Sequence, residues 1–281
     1  MTRIVARRFL RHRPAVAGLV VLVILVLGAL VGGRWWTYDY AEITTESSTG
    51  PSLSHPFGTD GPGHDVLAQV LRGSQRSVQI MLVVALVSTT IGVMVGAVAG
   101  YYRGAVDAVL MRFVDLMLTL PLLAVVAVVA KGVQDAKSWL LLALVLGLLT
   151  WTGLARIVRA EFLALREREF VEAARAIGAS HTRIIVRHLL PNAMGSIIVS
   201  ATLTMAAAIL LETALTFLGF GVQSPDTSLG KLVADGQTAA TTRPWLFYFP
   251  GLFIVVIVLC VNFVGEGLRD AFAPRRPRGE G

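Results

Sequence analysis

Long apolar runs alternate with short polar segments along the whole chain, and this pattern predicts membrane-spanning helices. A helix needs about 20 apolar residues to cross the hydrocarbon core of a bilayer. The runs of about that length or more are residues 14–33, 78–101, 110–130, 139–157, 193–220 and 248–268. The sequence therefore predicts an all-α fold, a polytopic membrane helix bundle with six transmembrane helices.

Positive charges fall mostly on one side of these predicted spans. With both termini placed in the cytoplasm, the cytoplasmic segments hold 18 of the 25 lysines and arginines, in agreement with the positive-inside rule. The formal charge of +7 is therefore assigned to cytoplasmic loops, and no nucleic-acid partner is expected. A hydrophobic share of 55% and a charged share of 15% exclude an ordinary soluble domain.

The first run follows five arginines within residues 1–13, a start shared by secretory signal peptides and first spans. A signal peptide has an apolar core of only about 7–15 residues. Residues 14–33 exceed that length, and no clear small-x-small cleavage site follows them. We therefore expect a retained first span in the plasma or inner membrane.

Several residues inside the spans have expected contacts. Gly92, Gly96 and Gly100 recur at four-residue spacing, which predicts close packing against another helix. Asp115 lies three residues after Arg112, a spacing that favours an ion pair within one helix.

Glu212 lies deep in the fifth predicted span. A carboxylate is costly in lipid, so its side chain must face the bundle interior or water. Two roles stay open: Glu212 lines or gates a translocation pathway, or it hydrogen-bonds a neighbouring helix. An ion-coupled secondary transporter would use such acids, but this one has no basic partner in the spans.

The polar stretch of residues 172–192, EAARAIGASHTRIIVRHLLPN, lies on the predicted cytoplasmic side. Gly178 can end a first helix in the left-handed conformation. Ser180 is suited to N-cap a second helix over residues 182–190, and Pro191 is expected to end it. The apolar face of the first helix is predicted to consist of Phe162, Leu165, Phe170, Val171 and Ala174. Such a hairpin is typical of a segment that binds in a partner's groove; the alternative is an amphipathic helix on anionic lipid.

At these residues the chain resembles the permeases of ABC importers. Glu172-Ala173-Ala174, three further residues, Gly178 and then Leu190-Pro191 follow the order of that family's EAA loop. In the family this loop is the coupling helix that docks on a cytosolic ATPase, and Glu172 would form an ion pair there. The resemblance implies an ATPase-coupling role for Glu172, Ala173, Ala174, Gly178, Ala179, Arg183, Leu190 and Pro191.

Two further motifs are similar to the peptide-permease branch. His188 stands where the general motif has an aliphatic residue, as in that branch. Residues 57–65, FGTDGPGHD, resemble the GTD-x-x-G-R-D signature of dipeptide and oligopeptide permeases, with His64 in place of arginine. The resemblance implies contact with an extracytoplasmic binding protein, for which the candidates are Gly58, Thr59, Asp60, Asp65 and Trp245. The His and Asp residues match no standard ligand spacing, so no metal site is expected.

The resemblance covers residues 57–270 and implies a C-type subunit of a dipeptide or oligopeptide importer. It divides the chain into residues 1–77, a permease core of residues 78–270 with its coupling loop at 158–192, and a cytoplasmic tail at 271–281. The expected partners are a second homologous permease in a heterodimer, two ATPase subunits or one fused ATPase, an extracytoplasmic substrate-binding protein, a peptide substrate and the lipid bilayer.

The sequence contains no phosphate-binding loop and no catalytic arrangement of side chains. We therefore expect no enzyme activity and no cofactor in this chain, with ATP and Mg bound by the partner ATPases. The alternatives are a similar permease for nickel or another small solute, an ion-coupled secondary transporter, and a membrane scaffold that transports nothing.

Overall fold

The computed structural model describes residues 2–132 and 139–272, and every regular element in that part of the chain is a helix. Residues 273–281 of the predicted tail lie outside it. The helices are α1 (Thr2–Phe9), α2 (Arg13–Trp35), α3 (Val66–Tyr102), α4 (Gly104–Thr119), α5 (Leu122–Gly132), α6 (Trp139–Thr150), α7 (Thr152–Leu165), α8 (Glu169–Ala176), α9 (His181–Ile184), a π turn (Ile185–Leu189), α10 (Leu190–Phe217), α11 (Leu229–Gly236), a 3₁₀ turn (Gln237–Ala239) and α12 (Trp245–Phe272).

Within the described residues, four helices are long and apolar enough to cross a membrane by themselves. They are α2, α3, α12 and the unbroken helix from α9 through α10. The bent pairs α4–α5 and α6–α7 also pass this test, with bends of 80° and 41°. The predicted number of six spans holds when each bent pair counts as one span.

The third predicted span is not one continuous helix, and Pro121 explains the difference. Leu120 has φ −76° and ψ 128°, the extended conformation that a following proline favours. As a result α4 ends at Thr119 and α5 begins at Leu122. The third predicted span, residues 110–130, therefore contains a break that hydropathy did not show.

The second span begins much earlier than the predicted residue 78. Asp65 caps α3, and its Oδ1 accepts the backbone N–H of Ala68 at 2.7 Å. The helix therefore starts at Val66 and runs for 37 residues. Its polar first third extends the helix beyond the apolar run.

α3 lies at the centre of the bundle, where it packs on α2, α6, α7, α10 and α11. The predicted close contact at its glycines is confirmed, and the neighbour is α7. A Cβ added at Gly92, Gly96 or Gly100 would lie 3.0, 2.4 or 2.7 Å from the nearest atom of the chain segment 151–162. Because glycine has no side chain, the backbones of α3 and α7 can approach this closely.

Candidate functional site

Residues 169–189 form a hairpin of two short helices, here named the α8–α9 hairpin. Gly178 connects them with φ +78°, in the left-handed region predicted for it. The Oγ of Ser180 accepts the backbone N–H of Arg183 at 3.4 Å, so the predicted N-cap is confirmed. The turn is therefore specified locally by glycine and serine.

Pro191 does not end the second helix, contrary to the prediction. The helix starts at His181, widens into the π turn and continues into α10. The backbone N–H of Leu190 donates to the carbonyl of Ile185, five residues earlier. This wider π turn directly precedes Pro191 and lets the helix continue through a residue that cannot donate. The hairpin is thus joined to α10 without a break.

One face of α8 packs into the bundle. Val171 and Ala174 are buried in a cluster with Phe162 and Ile184. Of the predicted apolar face, Phe162, Val171 and Ala174 are buried, and Leu165 packs against them. The prediction of a single first helix was wrong, because Phe162 and Leu165 belong to α7, which ends before α8 begins. The predicted face was also wrong for Phe170, which is 40% exposed, because neighbouring helix positions differ by about 100° in direction.

The opposite face of the hairpin is open. Five of the eight predicted coupling residues are exposed: Glu172, Ala173, Gly178, Arg183 and Pro191. Ala179 and Leu190 are half-buried, and Ala174 is buried. Ala174 therefore attaches α8 to the bundle and offers no surface to a partner.

Ile177 is a surface residue that sequence reasoning missed. It is 86% exposed and lies at the tip of the hairpin, next to Gly178. A large aliphatic side chain with that exposure is accessible for contact with another protein. The only sequence signal was an isoleucine directly before the turn glycine.

The hairpin and the residues just before it contact the junction between α3 and α4. Arg166 Nη1 donates to the carbonyl of Tyr101 at 2.5 Å, and Arg103 forms an ion pair with Glu167 at 2.8 Å. The hydroxyl of Tyr101 is hydrogen-bonded to Nδ1 of His181 at 2.7 Å. Burial lowers the pKa of the Arg166 guanidinium, and neighbouring arginine charges add to the shift.

Two ion pairs connect α4 to α7. Asp115 pairs with Arg156 at 2.5 Å, so the expected pair with Arg112 in the same helix was wrong. Asp107 accepts two hydrogen bonds from Arg159, at 2.5 and 2.6 Å. Arg156 and Arg159 both lie in α7, the helix that precedes the hairpin. They are more than 40 residues from the acids in sequence, so no local pattern could indicate these pairs.

Glu212 is fully buried near the end of α10. Its Oε1 accepts hydrogen bonds from the hydroxyls of Ser228 at 2.6 Å and Thr216 at 3.1 Å. Its Oε2 has no hydrogen-bond partner among the described residues. A Cβ at Gly230 would lie 2.6 Å from that oxygen, so α11 packs directly on the carboxyl group.

The segment before α11 is also fixed to α3. Asp226 forms ion pairs with Arg72 at 2.9 Å and Arg76 at 2.5 Å. The backbone N–H of Leu229 donates to Oγ of Ser77 at 3.1 Å. Together with Glu212, these contacts hold the start of α11 between α3 and α10.

The segment between α2 and α3 is organised around a buried carboxylate. Asp65 is fully buried, and its oxygens accept from Trp36 Nε1 at 3.0 Å and contact His55 Nδ1 at 2.7 Å. Thr59, also fully buried, receives a hydrogen bond at its carbonyl from Trp245 Nε1 at 3.3 Å. These buried hydrogen bonds stabilise the fold of the segment between α2 and α3.

The predicted binding-protein contacts thus differ in accessibility. Gly58, Thr59 and Asp65 are buried, whereas Asp60 and Trp245 are partly exposed. Asp60 Oδ2 contacts His64 Nδ1 at 2.8 Å, so His64 closes a local turn. Among the described residues, no group of three or more His, Cys, Asp and Glu side chains could hold a metal ion.

Comparisons with known proteins agree on one class of molecule. Residues 92–278 match the model of the family described as binding-protein-dependent transport system inner membrane component. Residues 1–54 match the N-terminal TM domain of oligopeptide transport permease C.

Individual relatives cover nearly the whole chain. The oligopeptide transport system permease protein OppC of Mycobacterium tuberculosis (strain ATCC 25618 / H37Rv) is 44% identical over 272 residues, 96% of this chain and 94% of the relative. OppC of Haemophilus influenzae is 36% identical over 272 residues, 96% of this chain and 87% of the relative. The MetNI methionine ABC transporter, in an inward-facing conformation, has a chain with a similar fold at a TM-score of 0.58 and 19% identity, covering 74% of this chain and 98% of that one.

Proposed function

The chain belongs to the family of binding-protein-dependent transport system inner membrane components, and on that premise we propose that it forms half of the translocation pathway of an ATP-driven peptide importer. The observation that carries the proposal is the exposed α8–α9 hairpin, which presents Glu172 and Ile177 outward. A membrane subunit without a nucleotide motif must receive energy from another chain, and this hairpin is the surface suited to receive it.

Peptides are the cargo favoured by the relatives. The OppC proteins of M. tuberculosis and H. influenzae are oligopeptide permeases by name. Nickel, the alternative cargo, has no comparable support. Dipeptides and longer peptides both remain within the proposal.

The coupling role is assigned to the exposed residues of the hairpin. Glu172 would form an ion pair with a cationic ATPase residue, and Ile177 would fill an apolar pocket. Gly178 sets the angle between α8 and α9 because its φ of +78° suits glycine. ATP-driven closure of the ATPases would move the hairpin and switch the pathway between inward and outward openings.

The proposed assembly contains a second homologous permease, two ATPase subunits or one fused ATPase, and an extracytoplasmic binding protein. ATP and Mg would be bound by the ATPases, and this chain would bind no cofactor. Both termini would lie in the cytoplasm. The binding protein would dock on the segment between α2 and α3, at its partly exposed residues Asp60 and Trp245, with Gly58, Thr59 and Asp65 supporting that surface from within.

Glu212 is proposed to act at the pathway through α11. Its hydrogen bond to Ser228 joins the end of α10 to the start of α11, so the two move as a unit. We therefore propose that Glu212 stabilises the packing of a gate from inside the bundle and does not contact the cargo.

Purification of the tagged chain from its native membranes tests the proposal. Mass spectrometry should identify a second permease and P-loop ATPases in the preparation. Ile177→Asp should lower ATPase recovery at least tenfold, since losing a buried aliphatic anchor costs about 1.5–3 kcal/mol. Glu172→Arg should lower it as well, because it places a positive charge against the cationic ATPase residue. Leu53→Asp is the matched control, because Leu53 is also a fully exposed aliphatic residue but lies between α2 and α3.

Two results would contradict the proposal. A chain that emerges alone, under conditions that keep a control ABC complex intact, would favour the ion-coupled transporter or the scaffold. Full ATPase recovery with Ile177→Asp and Glu172→Arg would remove the coupling role from the hairpin. The copurified binding protein, screened against peptides and nickel, decides the cargo.

A further inference from the structure

Tyr101 is hydrogen-bonded to one residue before α8 and to one residue after it. It lies at the end of α3 and is 5% exposed. Before α8, Arg166 donates to its carbonyl oxygen at 2.5 Å. After α8, His181 contacts its hydroxyl at 2.7 Å. The two flanks of α8 therefore converge on one residue of another helix.

The same residue packs under α8. Tyr101 shares a buried cluster with Val171 and Ala174, which form the inner face of α8, and with Ile184 of α9. Its ring also meets the His181 ring edge-on, with centroids 5.6 Å apart. Since buried clusters are close-packed and resist deformation, displacement of α8 must displace Tyr101.

From Tyr101, α3 runs without a break to Val66. Near that far end Ser77 accepts the N–H of Leu229, and Arg72 pairs with Asp226. A shift of α3 along or about its axis therefore acts directly on the start of α11. This gives a continuous physical connection from the hairpin to the other end of the bundle.

We propose that Tyr101 is a positioning residue for transport, and that its hydroxyl, bound to His181, transmits movement of the α8–α9 hairpin to α3. The inference rests on the proposed coupling of this hairpin to an ATPase. It adds a specific contact that neither ATPase docking nor nucleotide hydrolysis requires. Loss of the hydroxyl should therefore uncouple hydrolysis from transport and leave the complex assembled.

The test uses the complete transporter in proteoliposomes, with its binding protein and a radiolabelled peptide. The measured quantity is the number of peptides imported per ATP hydrolysed. Tyr101→Phe keeps the ring and removes one hydrogen bond, so this ratio should fall about two- to tenfold. Tyr102→Phe, the adjacent exposed tyrosine, is the matched control and should keep the wild-type ratio.

Variants of His181 separate transmission from a general structural effect. His181→Ala should lower the ratio as Tyr101→Phe does, and the double variant should be no worse than either single one, because both remove the same contact. His181→Asn places an amide near the position of Nδ1 and should restore most of the ratio. ATPase recovery should be unchanged with Tyr101→Phe, because that side chain is buried and offers no surface to the ATPase.

Three outcomes would overturn the inference: a wild-type ratio with Tyr101→Phe, additive losses in the double variant, or loss of ATPase subunits from Tyr101→Phe. The third would mean that the hydroxyl serves docking. A wild-type preparation without ATPase subunits would instead overturn the proposed function, and this inference with it.

Discussion

Gly96 offers a quantitative test of the contact between α3 and α7. An alanine Cβ at this position would lie 2.4 Å from the carbonyl oxygen of Ala155 and 2.8 Å from Cβ of Val158. Ordinary contacts between such atoms are about 3.5 Å, so the backbones must separate by about 1 Å. The nearest atom is backbone and cannot rotate away, and overpacking of this kind costs about 1–3 kcal/mol.

Gly195 provides the matched control in α10. Its added Cβ would meet no atom within 4 Å, so Gly195→Ala should gain about 0.5–1 kcal/mol from the lower backbone entropy of alanine. The entropy gain is common to both helical positions, so unfolding free energies from reversible detergent titration should differ by the overpacking cost of about 1–3 kcal/mol between Gly96→Ala and Gly195→Ala. Equal free energies for the two variants would refute the argument that bare glycine backbone permits this contact.

Two further predictions concern the start of α11. Glu212→Gln keeps an oxygen for the Ser228 hydroxyl, whereas Glu212→Ala removes it and should cost about 1–3 kcal/mol more in the same titration; equal costs would contradict the hydrogen bond. Asp226→Asn leaves Arg72 and Arg76 facing each other without their shared carboxylate, and should speed proteolysis of the segment before α11 severalfold. An unchanged digestion rate would show that these ion pairs do not hold the segment.

The control for the second of these experiments is Asp235→Asn. Asp235 pairs with Lys231 one turn away on α11 and is 63% exposed. Exposed pairs of this type contribute little, about 0–1 kcal/mol. Its removal should leave proteolysis unchanged.

Much of the architecture followed from the sequence because lipid permits few backbone arrangements. A membrane leaves no water for unpaired backbone groups, so apolar runs of sufficient length become helices. Local signals were equally dependable: Gly178 supplied the left-handed turn and Ser180 the cap. The glycine spacing at residues 92–100 indicated a close contact, although it could not name α7 as the partner.

The remaining features depend on position in three dimensions. Pro191 and Pro121 look alike in sequence, but the first follows a π turn inside a continuous helix and the second separates two helices. The partner of Asp115 is 41 residues away, beyond any local pattern. Ile177 is exposed because α8 buries the face that carries Val171 and Ala174. The sequence does not show which face is buried, so it could not indicate that Ile177 is exposed.

The break between α4 and α5 limits what can surround it in the bilayer. With 16 and 11 residues, the two helices extend about 24 and 16 Å at 1.5 Å per residue, so neither crosses a hydrocarbon core of about 30 Å alone. Thr119, Leu120 and Pro121 are exposed at the break, and although the Thr119 hydroxyl satisfies the Leu116 carbonyl, the irregular backbone there cannot face acyl chains. Where the break lies within the hydrocarbon core, another protein chain or a water-filled space must cover this side, because lipid cannot solvate the backbone there.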